Sequence, residues 1–299
     1  MKAQIRDMTK ADIDRVGEII FESFRFNASK FGYAPRLQSV QDAKSWVWSM
    51  LRHGPSEHLI IEVDNRIAGM CSMNPRGELG GVGPMAIDAS IQSKGIGREL
   101  MVAIIERAEG QQGIKSIRGI QEAFNPASFS MLYPLGYIPV ADILELILPG
   151  GSGQMTELCN NVSELMAQDF EEVHAYDSPR SKLDRHTDLT YYARWGKIFV
   201  YRSQLQIRGY LVCLPGAGSV QLGPLVAEGE EEAESLFRHA LAIFKGRSCR
   251  TCVMARDYLL ARALMGLGFK LYCISLLIIR GAWRPGQCVE AFGRFPEGV

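Results

Sequence analysis

Apolar and polar positions follow two patterns along this chain, a helical spacing and short continuous apolar runs. Runs at residues 83–87, 115–121 and 271–279 predict strands, and residues 99–108 carry apolar side chains at helical spacing. Another amphipathic helix is predicted near the start, where apolar residues recur at spacings of three and four. The apolar face of the first helix consists of Ile13, Val16, Ile19 and Ile20.

The segment between the strand at 83–87 and the helix at 99–108 reads Gln-Ser-Lys-Gly-Ile-Gly-Arg. A strand that turns through glycines into a helix leaves the first backbone N–H groups of that helix unpaired. Together with the positive end of the helix dipole, those groups form a phosphate site. Gly95 and Gly97 have no Cβ and allow the main chain to approach an anion. Lys94 and Arg98 either add positive charge to this site or simply lie on a solvent-exposed face.

Glycines before a helix are weak evidence alone, because an ordinary strand-to-helix turn has the same pattern. The chain has no Gly-x-x-x-x-Gly-Lys-Ser/Thr run, which argues against a P-loop NTPase. A dinucleotide-binding fingerprint is incomplete, since Leu100 stands where its third glycine belongs.

The segment resembles the acyl-CoA loop of the GNAT superfamily of N-acetyltransferases, whose signature is Gln/Arg-x-x-Gly-x-Gly/Ala. Gln92, Gly95 and Gly97 fit that signature. The family's later elements are also present in order: the strand at 115–121, then an Asn, a short helix and a Leu-Gly-Tyr sequence. The resemblance covers about residues 3–148, and the later elements are Asn125, residues 128–132, Leu135, Gly136 and Tyr137.

The resemblance implies a site for acetyl-CoA as acyl donor. Main chain at Met85, Ala86 and Ile87 would pair with the pantetheine arm like an extra strand. Asn125 and Ser128 would lie beside the thiol end. The backbone N–H groups implied for the pyrophosphate are those of Ser93, Lys94, Gly95, Ile96, Gly97 and Arg98.

The proton-transfer groups depart from the family pattern. Where many members have a Tyr that protonates the departing thiolate, this chain has Leu132, and Tyr133 lies one residue late. One step along a helix rotates a side chain by about 100°. Where many members have an acidic base, the chain has Ile120. Glu122 lies on the same side of that strand and is the candidate base, with a solvated strand-end residue as the alternative.

An aromatic-rich segment follows the first helix. In the family that it resembles, this region lines the acceptor pocket, so Phe26, Tyr33 and Trp46 are candidates for shaping the acceptor site. At helical spacing such side chains also commonly belong to the core, and both interpretations stay open.

The second half of the chain repeats parts of the first. An offset of 140 aligns Ile67 with Ile207, Gly69 with Gly209, and the Gly-Pro at 83–84 with that at 223–224. Echoes that occur in the same order in both halves predict a duplicated fold. The two further echoes align Met8, Thr9 and residues 16–19 with Met155, Thr156 and residues 162–165, and residues 135–137 with residues 267–269.

With this repeat, the resemblance implies an α/β (α+β) fold of two tandem GNAT-like domains, each with a mixed, mostly antiparallel sheet flanked by helices. Residues 1–148 form the catalytic domain, 149–154 a Gly-rich linker, and 155–299 a degenerate domain. About four loop residues are missing from the second copy, whose next helix is expected from about Ser235 to Phe244. Five acidic residues between Glu228 and Glu234 would repel a pyrophosphate, so this copy is expected to lack a CoA site.

Composition narrows the classes of partner. Lys plus Arg and Asp plus Glu both total 33, so no basic excess favours nucleic acid or an anionic membrane. No signal-peptide pattern and no run long enough to span a bilayer are seen. Seven cysteines at irregular spacings predict reduced thiols in a cytoplasmic protein. Cys249 and Cys252 lack a second ligand pair, so buried thiols are expected there and no metal.

The leading hypothesis is an N-acetyltransferase that moves an acetyl group from acetyl-CoA to a primary amine in a ternary complex. The acceptor is a small molecule or a peptide, and a homodimer is an allowed assembly. The alternative is a non-catalytic acyl-CoA sensor or interaction module, which the missing Tyr and Ile120 would suit. A longer acyl donor on the same fold is a third option.

Overall fold

The computed structural model describes residues 3–54, 56–110, 113–152, 157–216, 218–282, 286 and 288–292. They form two compact units. Unit 1 contains the described residues up to Pro139 together with Ile278–Ala282. Unit 2 contains Val140 to Leu277 and the described residues after Ala282. Within these residues, no helix is both long and apolar enough to cross a bilayer.

Unit 1 has a mixed sheet with strand order β1-β2-β3-β4-β5-β12, in which β12 (Lys270–Gly281) contributes its last residues. The first four strands pair antiparallel, and β4 pairs parallel with β5. Its elements are β1 (Ala3–Asp7), α1 (Ile13–Lys30), α2 (Val40–Met50), β2 (Glu57–Val63), β3 (Arg66–Arg76), β4 (Leu79–Ile87), α3 (Ile96–Glu109), β5 (Ser116–Glu122), α4 (Pro126–Leu132) and the start of β6 (Ile138–Leu148).

The helices of unit 1 follow the predicted apolar faces. On α1, Val16, Ile19 and Ile20 are fully buried, whereas Ile13 is half-buried. Leu100 and Ile104 on α3 are fully buried as well. Burying a Leu or Ile side chain contributes about 1.5–3 kcal/mol, so these faces fix both helices against the sheet.

The strands β4 and β5 separate soon after they meet. They pair at Leu79, Gly80 and Gly81, opposite residues 116–118, whereas β4 continues to Ile87. Across from β3, the register shifts between Cys71 and Met73, where residues 83 and 84 bulge from β4. The second half of β4 therefore has a partner strand on its β3 side and an opening on its β5 side.

A segment from the far end of the chain completes unit 1. The last residues of β12 lie next to β5, and Arg280 Nε donates to the Leu135 carbonyl at 3.0 Å. The same guanidinium pairs with Glu109. Gly281 has a φ of 100°, and a Cβ there would lie 2.5 Å from the Lys115 carbonyl oxygen, so glycine is required.

Unit 2 has the strand order β12-β6-β11-β13-β10-β9-β8-β7. Its remaining elements are β7 (Val162–Glu164), α5 (Phe170–Ser181), α6 (His186–Trp195), β8 (Lys197–Ser203), β9 (Gln206–Pro215), β10 (Val220–Ala227), α7 (Glu230–Ile243), β11 (Cys249–Met254), α8 (Tyr258–Gly266), β12 (Lys270–Gly281) and β13 (Val289–Phe292).

The strands of unit 2 repeat those of unit 1 at the predicted offset of 140. β2 and β8 coincide at both ends, and the register of each shifts after equivalent residues, Ile61 and Tyr201. Gly69 lies opposite Ile87, as Gly209 lies opposite Ala227. A Cβ on Gly69 would lie 2.4 Å from Ile87 Cδ1, so the repeated glycine serves the same close contact.

Three details of the predicted repeat need comment. The echo between residues 16–19 and 162–165 is wrong, because the first lies in helix α1 and the second begins in strand β7. Helix α7 begins at Glu230 and not near Ser235, so three of the five acidic residues lie in its first turn, where they interact favourably with the helix dipole. Met155 and Thr156, with the end of the predicted linker, lie outside the described residues.

Candidate functional site

Eight residues, 88–95, connect the open end of β4 to α3. Ser93 and Gly95 have positive φ angles of 62° and 84°, which turn the chain sharply into the helix. Gly95 is the N-cap residue and provides no side-chain cap to the first-turn amides of α3. A Cβ on Gly95 would have nothing within 4 Å. The helix start therefore faces open space with donors available for an anion.

Gln92 anchors this loop to the rest of unit 1. Its Nε2 donates to Ser23 Oγ at 3.2 Å and to the Ile87 carbonyl at 3.1 Å. The Gln92 side chain therefore positions the loop, and the binding capacity lies in the main chain that follows it.

Asp88 anchors the other end of the loop. Burial alone would raise the pKa of Asp88, but hydrogen bonds from Ser90 and the nearby Arg15 guanidinium hold that pKa below its usual value. Asp88 is therefore a fixed anion that holds the end of β4 to α1.

The residues after Gly95 divide between packing and charge. A Cβ on Gly97 would lie 3.2 Å from Met85 Cε and 3.4 Å from Ile87 Cγ1, so this glycine brings α3 close to β4. Ile96 is buried beneath the turn. Lys94 and Arg98 are exposed, and neither forms an ion pair within the described residues. Their charges are available to an anion at the helix start.

The open edge of β4 begins beside this helix. Met85, Ala86 and Ile87 lie opposite Cys71, Met70 and Gly69 of β3, so one of their two edges is occupied. On the other side, β5 stops pairing after Gly81. An extended ligand with its own donors and acceptors can therefore pair with β4 in the opening.

Asn125 and Ser128 lie at the start of α4, just after β5. Asn125 caps the helix, and its Oδ1 accepts from the Ser128 amide at 3.4 Å. Pro126 occupies the first helical position, where its missing N–H costs nothing. Both predicted thiol-end residues thus follow the strand that forms the second wall of the opening.

Glu122 lies at the end of β5, and its side chain is 14% exposed. Arg36 Nη2 lies 3.3 Å from Glu122 Oε1, and the Arg36 side chain is 13% exposed. Glu122 is therefore held in an ion pair and is not a solvated strand-end residue. Arg36 comes from the connection between α1 and α2, which it joins to the end of β5.

An aromatic stack is a second contact between the α1–α2 connection and the chain that follows β5. The Tyr33 ring stacks on Phe124, with centroids 4.2 Å apart and an interplanar angle of 21°. Phe31 packs against the same Phe124 ring at 5.7 Å. The α1–α2 connection thus forms a wall, with an ion pair and an aromatic face, beside the β5 end of the opening.

The other candidate side chains lie on helices and turns outside that connection. Phe26 is 45% exposed on α1, and the Trp46 ring packs at 6.0 Å from Phe24 between α1 and α2. Leu132 is buried and Tyr133 is 52% exposed on the turn that follows α4. The one-residue difference between the two thus separates a core side chain from a surface one.

Two features of this site carried no sequence signal. Arg36 and Phe124 lie in connections without periodicity, so their partners are visible only in three dimensions. Elsewhere, Cys249 and Cys252 are buried thiols as predicted, and burial raises the pKa of Cys249 to about 11. No cluster of three metal-ligating side chains is present in the described ranges.

The counterpart in unit 2 is closed. Two residues, Glu228 and Gly229, connect β10 to α7, in place of the eight in unit 1. Glu228 is held by Arg180 at 3.0 Å and by Arg208 at 2.6 Å. The first turn of α7 carries Glu230, Glu231 and Glu232. This helix start lacks both the loop and the charge that a pyrophosphate requires.

Two family models match the chain. The Acetyltransferase (GNAT) family model matches residues 16–137, and the Acetyltransferase (GNAT) domain model matches residues 178–285. Together they span more than half of the chain. The curated proteins searched contain no match to it.

Solved structures resemble the chain over nearly its whole length. A protein of Pyrococcus horikoshii described as an acetyltransferase has a TM-score of 0.77 at 17% identity, covering 97% of this chain and 93% of its own. A GCN5-related N-acetyltransferase of Sphaerobacter thermophilus has a TM-score of 0.63 at 15% identity, covering 95% and 96%. A tandem GNAT protein of the clavulanic acid biosynthesis pathway has a TM-score of 0.64 at 12% identity, covering 95% and 99%. At such identities, the likeness is one of fold.

Proposed function

Because the chain belongs to the GNAT family of acetyltransferases, with two such domains in tandem, we propose that unit 1 transfers an acetyl group from acetyl-CoA to a primary amine. The observation that supports this most is the start of α3, which lacks a side-chain cap beside the open edge of β4. An anionic group and an extended arm can be bound there side by side.

In this proposal, the amides from Ser93 to Arg98 hold the pyrophosphate of the donor, with Lys94 and Arg98 adding charge. The edge of β4 at Met85, Ala86 and Ile87 aligns the pantetheine arm. The thioester then lies between β4 and β5, near Asn125 and Ser128. Positioning the two reactants accounts for much of the acceleration, since well-oriented groups gain about 7–11 kcal/mol.

The chemistry needs one base and a tolerable leaving group. Glu122 accepts a proton from the ammonium form of the acceptor, directly or through a water, and the neutral amine attacks the thioester carbon. Main-chain N–H groups stabilise the oxyanion that forms. When the tetrahedral intermediate collapses, its nitrogen loses a second proton to water, the C–S bond breaks, and the thiolate leaves, taking a proton from Tyr133 or from water.

The acceptor is proposed to enter along the wall of Tyr33, Phe124 and the Arg36–Glu122 pair. Phe26 and Trp46 remain candidates for shaping more distant parts of the acceptor site. Seven free cysteines support a cytoplasmic location, where thiols stay reduced.

A second candidate function is an acyl-CoA sensor without catalysis. Two observations favour it: Glu122 is engaged by Arg36, and Tyr133 is exposed. An ion-paired carboxylate is less available as a base, and an exposed hydroxyl is less suited to donate a proton inside the site.

A thiol-release assay separates the two candidates. The protein is incubated with acetyl-CoA and a panel of small amines and peptides, and free CoA is followed over time. Release that depends on one acceptor supports the transferase. Saturable CoA binding without release across the panel supports the sensor. Repeating the assay with succinyl-CoA and a long-chain acyl-CoA tests the acyl preference.

Tyr133→Phe is expected to lower kcat by less than about threefold. CoA is a thiol, and an ordinary thiol has a pKa of about 8.5, so its thiolate leaves without obligatory protonation. Because Tyr133 is exposed, water can also reach this position and serve as the proton donor. The measurement is kcat with the best acceptor of the panel. A loss of about 30-fold or more would instead assign the proton donor to Tyr133.

A further inference from the structure

The short strand β13 lies between β10 and β11 in unit 2. Its residues Val289, Glu290 and Ala291 lie antiparallel to Ala227, Val226 and Leu225 of β10. On its other edge, Ala291 and Phe292 lie opposite Val253 and Cys252 of β11. The strands β10 and β11 pair directly at Val220 and Gln221, before they separate around β13.

The position of β13 matches the opening in unit 1. At the offset of 140, Leu225, Val226 and Ala227 correspond to Met85, Ala86 and Ile87, the open edge of β4. In both units the two parallel strands pair at their first few residues and then diverge. In unit 2, the chain's own strand fills the opening that in unit 1 is free to take an extended arm.

The strand is held by more than its main chain. Its four residues Val289, Glu290, Ala291 and Phe292 are all buried, with side chains 0–7% exposed. The Glu290 carboxylate accepts from Arg256 Nη2 at 3.0 Å. The Glu290 amide donates to Asp257 Oδ2 at 3.3 Å.

Asp257 is the N-cap residue of α8, as Asn125 is of α4, so it occupies the place of a residue assigned above to the thiol end of the donor. Unlike Asn125, it makes no side-chain hydrogen bond to its own helix. The half-buried Asp257 carboxylate is the acceptor for the backbone N–H of β13 at this place. Burial raises the pKa of Asp257, while the Glu290 amide and Arg256 oppose that rise.

We propose that the opening between β10 and β11 is a binding site for an extended peptide strand, which this chain fills with its own residues 288–292. The site recognises main-chain donors and acceptors on two edges, small or apolar side chains at the ends, and one acidic side chain through Arg256. A peptide has thus replaced acyl-CoA in the second domain. This inference concerns unit 2 and stands apart from the function proposed for unit 1.

The test separates the strand from its site. A chain that ends at Gln287 is prepared, and a synthetic peptide of residues 288–299 is titrated into it. We expect the shortened chain to lose amide-exchange protection in β10 and β11, and the peptide to bind one to one and to restore it. A peptide with Glu290→Lys is the matched control and should bind about tenfold or more weakly, since a charge-assisted hydrogen bond is lost.

Three results would overturn the proposal: unchanged protection in the shortened chain, a folded shortened chain that does not bind the peptide, or equal binding of both peptides. Binding of two CoA molecules per shortened chain would also overturn it, because the opening between β10 and β11 would then be a coenzyme site. If the shortened chain does not fold, the full chain provides the test. Glu290→Lys should then reduce protection of β13, and adding Arg256→Glu should restore it, whereas a lack of restoration would contradict the proposed recognition.

Discussion

Gly95→Asp is expected to weaken acetyl-CoA binding by about 100-fold or more. The residue stands at the start of α3, and a side chain there would extend into open space where the pyrophosphate is proposed to lie. Two like charges about 5 Å apart repel by about 1–3 kcal/mol at effective dielectric constants between about 80 and 20. With the two charges of a pyrophosphate, a loss of about 100-fold follows.

Gly95→Asn is the matched control. Gly95 has a φ of 84°, so most substitutions would strain the backbone, but Asn and Asp both tolerate this region. The two variants share size and backbone cost and differ in charge. Binding is measured by calorimetry and stability by thermal melting. Equal affinities for Asp and Asn, at equal melting temperatures, would contradict the placement of the pyrophosphate at this helix.

Glu122→Gln is expected to lower kcat by about 100-fold while acetyl-CoA affinity stays within about twofold. General-base catalysis typically contributes about 10²–10⁴-fold, and Gln keeps the shape of the side chain without its basicity. The Arg36 contact can persist through the Gln carbonyl, so the wall beside β5 keeps its geometry. The measurement is acceptor-dependent CoA release at saturating substrates.

Glu106→Gln, an exposed change of the same type on α3, should leave kcat unaltered. An unaltered kcat in Glu122→Gln would remove this carboxylate from the proton path. Arg36→Met provides a further readout, since it removes the guanidinium and keeps the carboxylate. A loss in Arg36→Met that is confined to the KM of the acceptor would assign Arg36 to the acceptor wall and not to proton transfer.

The elements around the coenzyme loop follow from local sequence. The apolar run that ends at Ile87 and the helical spacing after Gly95 encode a strand, a turn and a helix with little help from the rest of the chain. The offset of 140 likewise predicted the repeated strands, because Gly69 and Gly209 meet the same steric demand. The start of α7 was misplaced because acidic residues were assigned to a loop, although carboxylates stabilise the first turn of a helix.

Other parts of the site depend on contacts between distant segments. Arg36 and Glu122 lie 86 positions apart, and Arg36 lies in a connection without a periodic pattern. The strand β13 has four residues, too few for a sequence pattern, and exists because β10 and β11 leave room for it. Such features arise from the assembled sheet, and composition or spacing carries no trace of them.

The place of Arg280 and Gly281 in unit 1 bears on how the protein is made. During translation, the first half of the chain emerges from the ribosome long before Arg280 and Gly281 do. The sheet of the first unit therefore keeps one edge unpaired until Gly281 has been synthesised. A gene fragment cut after the first domain would encode a sheet that lacks its last strand, so a folded first unit requires expression at least through Gly281.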